Sequence, residues 1–338
     1  MAAEARSFTR IGVVGGGAWG TALALATLRA GRDTLLWARE PAVVEAIRRD
    51  RENRDYLPGV PLPAELEATS DLADLAGCDA LLLVTPAQHL RSACAALAPH
   101  LKPGAPAVIC AKGIEIETQA LMCEAVEAAL PPGTPLAILS GPTFAAEVAR
   151  GLPTAVTLAC RDAGVGTALV EALGSRTFRP YLTDDVVGAQ IGGAVKNVLA
   201  ITCGVVEGRA FGDNARAALI TRGLAEITRL ALRLGARPET LMGLSGLGDL
   251  TLTCSSLQSR NMSLGAALGQ GRTLDEVLGE RRSVAEGVWT ARAVVALAAR
   301  LGVEMPICAA VDAILNKGAS VDDTIQGLLA RPFREEAV

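Results

Sequence analysis

The sequence predicts an α/β doubly wound sheet in its N-terminal part and an all-α domain after it, on three observations. Residues 10 to 160 alternate short, continuous apolar runs with helical stretches, the pattern of a parallel sheet covered on both faces. From about residue 185 the strand pattern stops and apolar residues recur at helical spacing. At 338 residues the chain also exceeds what one hydrophobic core usually sustains, so two domains are expected. The boundary is placed near 185, giving 1–185 and 186–338.

The first strand is read at 10–14 and the first helix at 18–29. A second strand follows at 33–38, and a second helix at 41–49 opens on a proline, which suits a first helical turn. Further strands are predicted at 80–84, 107–110, 136–139 and 154–158, with helices at 88–97 and 119–130 between them. In the second domain, helices are predicted at 185–206, 215–234, 262–268, 274–278, 288–301 and 307–315. No internal repeat or low-complexity tract is present.

Composition narrows the function classes. Half of the residues are apolar and a fifth are charged, which suits a folded chain rather than a disordered one. The mean hydropathy of +0.34 comes from alanine and short Val/Leu/Ile runs. No stretch reaches the roughly 18 charge-free apolar residues of a membrane span, and the best, 191–206, is interrupted by Lys196. The first ten residues carry Glu4, Arg6 and Arg10 and no apolar core, so no secretory signal is read and a cytoplasmic setting is expected. A net charge of −4 without a basic cluster argues against nucleic acid as a partner. The cysteines form no C-x-x-C pair and are expected as reduced, mostly buried thiols, and His89 and His100 have no ligand-spaced cysteines for zinc.

Gly15-Gly16-Gly17-Ala18-Trp19-Gly20 fits G-x-G-x-x-G directly after a predicted strand and at the opening of a helix. Gly15 permits the tight turn, Gly17 allows backbone to approach a pyrophosphate, and Gly20 lets helix and strand pack closely. The N-terminus of helix 18–29 then faces the phosphates with its free N–H groups and the positive end of its dipole. Dinucleotide binding of the Rossmann type is therefore expected. At the end of the second strand an acid would hold a ribose 2′-hydroxyl and an arginine a 2′-phosphate. The sequence offers Arg39 and then Glu40, so NADP(H) and NAD(H) both stay open, with Arg39 favouring NADP(H).

Proton-transfer candidates are few, since the chain has two histidines and four lysines, Lys102, Lys112, Lys196 and Lys317. Lys196 sits in Gly192-Gly193-Ala194-Val195-Lys196-Asn197, within an otherwise apolar helix. Burial there disfavours its charged form and lowers its pKa towards a useful range. Lys112, in Ala111-Lys112-Gly113-Ile114-Glu115, follows a strand and should reach the carboxyl edge of the sheet, where ligands sit. Ser140-Gly141-Pro142-Thr143-Phe144-Ala145 also follows a strand. A fourth segment runs from Gly246-Leu247-Gly248-Asp249-Leu250 to Ser259-Arg260-Asn261. Ser259, Arg260 and Asn261 precede a helix near Met262 whose N–H groups make an anion site; Ser259 also suits simple N-capping. Asp249 is the natural partner to orient and tune Lys196. His89 is read as mainly structural.

In order and spacing these segments resemble the bacterial NAD(P)-dependent glycerol-3-phosphate dehydrogenase family over almost the whole chain. The resemblance includes Leu57-Pro58-Gly59 and Val284-Ala285-Glu286-Gly287. One departure is Gln190, where the family more often carries Glu. The resemblance implies reversible reduction of dihydroxyacetone phosphate to sn-glycerol 3-phosphate, a phospholipid precursor, and a homodimer. It assigns proton transfer to Lys196 and places Asp249 in the substrate pocket. Lys112 would contact substrate and nicotinamide, and Gly141 and Thr143 would line the substrate site. Ala18, Trp19, Arg39, Ala145, Arg260, Val284 and Glu286 would face the cofactor. Two other readings stay open: a β-hydroxyacid dehydrogenase, which would recognise a carboxylate, and a non-catalytic NADP(H) sensor, which would not need Lys196 with Asp249.

Overall fold

The computed structural model describes residues 7–280 and 285–332. The chain forms two compact units. One is built from the chain up to Ala111 together with Met122–Val186, the other from Lys112–Leu121 together with the chain from Val187 onward. The change of unit near 186 falls where strand patterning stops. The excursion at 112–121 differs from the expected single boundary, because that segment groups with the second unit while the residues on either side of it belong to the first.

The first unit carries a sheet of eight strands. These are β1 Arg10–Val14, β2 Asp33–Trp37, β3 Glu67–Thr69, β4 Ala80–Leu83, β5 Ala107–Ile109, β6 Leu136–Ser140, β7 Thr154–Cys160 and β8 Phe178–Thr183. Their order is β8-β7-β6-β5-β4-β1-β2-β3, and every neighbouring pair is parallel except β6 and β7. The central strands are apolar on both faces, with Val13, Leu82, Val108 and Ala137 fully buried, as a sheet covered on both sides requires.

Helices α1 Ala18–Arg29, α2 Pro41–Asp50, α3 Leu90–Leu97, α4 Met122–Glu127, α5 Ala145–Ala149 and α6 Ala163–Leu173 accompany the strands. The single antiparallel step has a physical reason. The helix between β6 and β7, α5, has only five residues, whereas a parallel crossover usually carries a full helix packed on the sheet. At the other end of α1, Arg29 donates from Nη1 to the Ala149 carbonyl and from Nη2 to that of Val148 at 3.0 and 2.5 Å. This ties α1 to α5 and so steadies the loop at 141–145.

The second unit contains α7 Val186–Gly208, α8 Asp213–Arg233, α9 Pro238–Leu241, α10 Asp249–Cys254, α11 Arg260–Gly269, α12 Leu274–Gly279, α13 Gly287–Leu301, α14 Pro306–Lys317 and α15 Val321–Leu329. Helix α7 is long and apolar enough to cross a membrane on length and composition, but 89% of that apolar window is buried inside the protein, so it is the core helix of this unit. Helices α7 and α11 touch backbone to backbone: a Cβ on Gly204 would overlap the Met262 carbonyl, and one on Gly265 the Ile201 carbonyl. That approach fixes the start of α11, with Ser259 to Asn261, against the helix carrying Lys196.

Candidate functional site

The glycine-rich turn in the first unit has the geometry of a phosphate cradle. Gly15 has φ +134 and lies so close to the end of β4 that a Cβ would sit 2.9 Å from the Val84 carbonyl carbon. Its N–H donates to the Trp37 carbonyl at the end of β2, locking the turn to both neighbouring strands. A Cβ on Gly20 would overlap the Gly15 carbonyl, so only glycine lets α1 begin this close to β1. Gly17 faces open space and, as N-cap, gives α1 no side-chain hydrogen bond. An uncapped helix N-terminus beside a bare backbone fits a bound anion. NAD(P) therefore fits the turn.

Ala18 and Trp19 open α1, half-buried against the core, and the buried indole Nε1 of Trp19 has no hydrogen-bond partner. Arg39 is two residues past β2 and largely exposed; its guanidinium donates to Glu40 from Nη2 at 2.8 Å and from Nε at 3.2 Å. At the carboxyl end of β6, Gly141 has φ +152, with β7 against the position its Cβ would take. The Thr143 hydroxyl donates to the Gly141 carbonyl at 3.2 Å. Ala145 is the first residue of α5.

The second unit brings together the charged groups. Asp249 opens α10 and is completely buried. Its Oδ1 accepts from Lys196 Nζ at 2.5 Å and its Oδ2 from Lys112 Nζ at 2.7 Å. The Lys196 amine also donates to Thr253 Oγ1 at 2.9 Å, while the Thr253 hydroxyl donates to the Asp249 carbonyl at 2.6 Å. Thr253 thus spends its one proton on the backbone and turns lone pairs to the lysine. One carboxylate therefore orients two amines.

Local structure explains this placement. Lys196 is one turn beyond Gly192 on α7, and a Cβ on Gly192 would lie 2.5 Å from the Ser245 carbonyl oxygen. Ser245 belongs to a single π-helical turn, Leu244–Gly248, which delivers Asp249 directly to the start of α10. Lys112 arrives on the compact 112–121 loop, closed by an antiparallel bridge between Ile114 and Leu121. Burial is the largest influence on Lys196, lowering its pKa from 10.5 to about 8; Asp249 opposes that shift and Lys112 adds to it. A lysine poised near 8 can carry a proton in either direction near neutral pH.

Ser259 is the N-cap of α11 and its Oγ accepts from the Met262 N–H. Asn261 donates from Nδ2 to Asn197 Oδ1 and accepts at Oδ1 from the Gly287 N–H, both at 3.0 Å. Arg260, the first residue of α11, is exposed. Glu286 immediately precedes α13, and Val284 lies outside the described residues. Gln190 is buried in α7, and His89 is an exposed residue at the start of α3. The sequence reading missed Thr253 and Asn197; the signal for Thr253 was its i+4 spacing from Asp249 on one helix.

Comparisons with known proteins agree along the chain's length. Residues 10–165 match the family model described as NAD-dependent glycerol-3-phosphate dehydrogenase N-terminus, and residues 185–326 match the corresponding C-terminus. A glycerol-3-phosphate dehydrogenase [NAD(P)+] of Rhodospirillum rubrum is 66% identical over 327 residues, covering 96% of this chain and 93% of that one. One from Parvibaculum lavamentivorans is 59% identical, covering 98% and 99% respectively. The crystal structure of glycerol-3-phosphate dehydrogenase from Coxiella burnetii superposes with a TM-score of 0.92 at 39% identity, covering 96% of this chain and 99% of that one. The chain belongs to the NAD-dependent glycerol-3-phosphate dehydrogenase family.

Proposed function

We propose that this chain catalyses the reversible, NAD(P)H-dependent reduction of dihydroxyacetone phosphate to sn-glycerol 3-phosphate, with Lys196 as the proton carrier. The observation that supports this best is the buried cluster in which Asp249 holds Lys196 and Lys112. Nicotinamide, when bound, would supply the hydride in reduction and accept it in oxidation. In reduction, the Lys196 ammonium passes a proton to the substrate carbonyl oxygen as that oxygen becomes a hydroxyl. In oxidation, the neutral amine takes the hydroxyl proton back. Asp249 and Thr253 fix the direction of the amine, leaving one of its three ammonium protons to face substrate. Lys112 adds positive charge where the carbonyl oxygen becomes electron-rich.

Arg260, at the first position of α11, is assigned to substrate phosphate and cofactor, and Gly141 and Thr143 to substrate. Ser259 and Asn261 belong to the same phosphate site, their internal bonds fixing the helix start that carries it. Ala145, Val284 and Glu286 are assigned to the cofactor. The supply of phospholipid precursor and a homodimeric assembly belong to this proposal and rest on the family resemblance; a cytoplasmic setting is proposed with them.

The test follows NADPH and, separately, NADH absorbance with purified protein. Oxidation of the cofactor with dihydroxyacetone phosphate but not with dihydroxyacetone is the expected result. Binding of both cofactors without turnover would overturn the substrate assignment. The pH profile follows from Lys196. Its protonated form serves reduction, so kcat/KM for reduction should be flat below about pH 8 and fall about tenfold per unit above it. Oxidation needs the neutral amine and should rise through the same pKa. Limbs of the same sign in both directions would remove Lys196 from this role.

A further inference from the structure

Asn53 lies in none of the segments that carry the proposed chemistry, and it is 1% exposed. Helix α2 ends at Asp50, Arg51 turns the chain with φ 52, and Glu52–Asn53 then pairs antiparallel with Leu57–Pro61. Leu57-Pro58-Gly59, a segment without an evident task in the sequence, is therefore the strand that seats Asn53. The Gly59 N–H closes the hairpin by donating to Glu52 Oε1 at 2.8 Å.

The side chain of Asn53 reaches into the glycine-rich turn. Its Nδ2 donates to the Gly16 carbonyl and to Thr21 Oγ1, each at 2.8 Å. The Thr21 hydroxyl donates in turn to the Gly17 carbonyl at 3.0 Å. A carbonyl can only accept, so Gly16 fixes which way round the Asn53 amide sits. The amide oxygen Oδ1 is buried without a partner, so the side chain serves here through its two donors.

The Gly16 carbonyl is thus drawn to this polar cluster, and the Gly17 carbonyl, which also accepts from the Thr21 N–H at 2.9 Å as the first backbone bond of α1, is held beside it. In a planar trans peptide the N–H points opposite to the C=O of the same unit. Holding the Gly16 carbonyl aims the Gly17 N–H away from Asn53, and holding the Gly17 carbonyl does the same for the Ala18 N–H. A Cβ at Gly17 would meet nothing within 4 Å, so the turn itself is not crowded there. We infer that Asn53 is a positioning residue for the dinucleotide: with Thr21 as relay, it presets the backbone amides of Gly17 and Ala18 as donors to the cofactor's pyrophosphate. The inference rests on the cofactor reading above. Preset donors need no ordering at the moment of binding, so losing them weakens affinity for the cofactor rather than the chemical step.

The test compares wild type with Asn53→Leu, similar in volume but without donors, and with Thr21→Val, which removes only the relay hydroxyl. NADPH dissociation constants are read from the change in its fluorescence on binding, with thermal unfolding recorded for each protein. The expected result is a rise of about tenfold or more for Asn53→Leu and a smaller rise for Thr21→Val. At saturating NADPH, kcat and the KM for dihydroxyacetone phosphate should change less than about threefold. If Asn53→Leu does not fold, Thr21→Val alone decides by the same measure. Folded variants that bind NADPH within about twofold of wild type would overturn the inference, as would equal losses in NADPH affinity and kcat. Wild-type protein that bound neither NADPH nor NADH would instead overturn the cofactor reading.

Discussion

Lys196→Met is expected to lower kcat/KM for dihydroxyacetone phosphate reduction by between about a hundredfold and ten-thousandfold, the range for loss of a positioned proton donor. Methionine matches the length and the apolar surroundings of the lysine stem, so lost packing should be slight. Asp249 keeps a partner in Lys112 at 2.7 Å, so the substitution does not strand a buried carboxylate. The dinucleotide groups at Gly15, Gly17, Gly20 and Asn53 belong to the α/β unit, and NADPH affinity should stay within about twofold. Folding supplies a second readout. The pKa of Lys196 is about 8 in the native protein against 10.5 when free, so below pH 8 the native state carries the full penalty of a buried ammonium. That penalty fades as pH rises from about 8 to 10.5, because the unfolded chain binds the proton more strongly over that window. Wild type should therefore gain thermal stability relative to Lys196→Met across it. Turnover within about tenfold of wild type would show that another group moves the proton.

Lysine scarcity made the charged cluster of the helical unit legible in the sequence. With two histidines and four lysines, a lysine interrupting an apolar helix stands out by elimination, and the cost of burying its charge marks it as a candidate. Asp249 was legible as its partner, but its second amine was not: Lys112 is 137 residues away in the chain, and nothing local announces the 112–121 excursion into the other unit. Thr253 looks like any helical threonine until α10 turns it towards Lys196. Asn53 stands in the polar stretch Arg51-Glu52-Asn53-Arg54-Asp55, which reads as a solvated loop; only the tertiary fold buries one member of it against the glycine turn.

The fold was legible where strands are central and less so at the edges. Strands β1, β2 and β4 to β7 are buried and continuously apolar, so the sequence places each within a few residues. The sheet's edge strands were missed. Strand β3 has three residues, and β8 contains Pro180 and exposed Arg179, Tyr181 and Leu182, a composition that edges tolerate and periodicity does not flag. Helix α6, rich in glycine and alanine, was also passed over. The expected helix at 119–130 shortens to Met122–Glu127 because Gln119 adopts φ 59, ending the loop that carries Lys112. The expected start at 88 moves to Leu90, after a 3₁₀ turn at Ala87–His89.

Asp249→Asn should separate charge from shape in the cluster. The buried carboxylate accepts from Lys196 at Oδ1 and from Lys112 at Oδ2, whereas an asparagine can accept from only one of them and turns its own N–H bonds towards the other. Asp249 raises the pKa of Lys196 against burial, and Lys112 lowers it. With the carboxylate gone, burial and Lys112 lose their main opponent, and the pKa should fall below about 8. The alkaline limb of the reduction profile should therefore move to lower pH, by about one unit or more. Loss of rate should consequently be greater at pH 8 than at pH 6. Breaking a buried ion pair on one side also costs about 3–5 kcal/mol, visible as a lower unfolding temperature that bound cofactor partly restores. Thr253→Val, which removes one uncharged acceptor from Lys196, should shift the limb far less. A limb that stays in place in Asp249→Asn would mean that Asp249 holds the two lysines without tuning the proton on either.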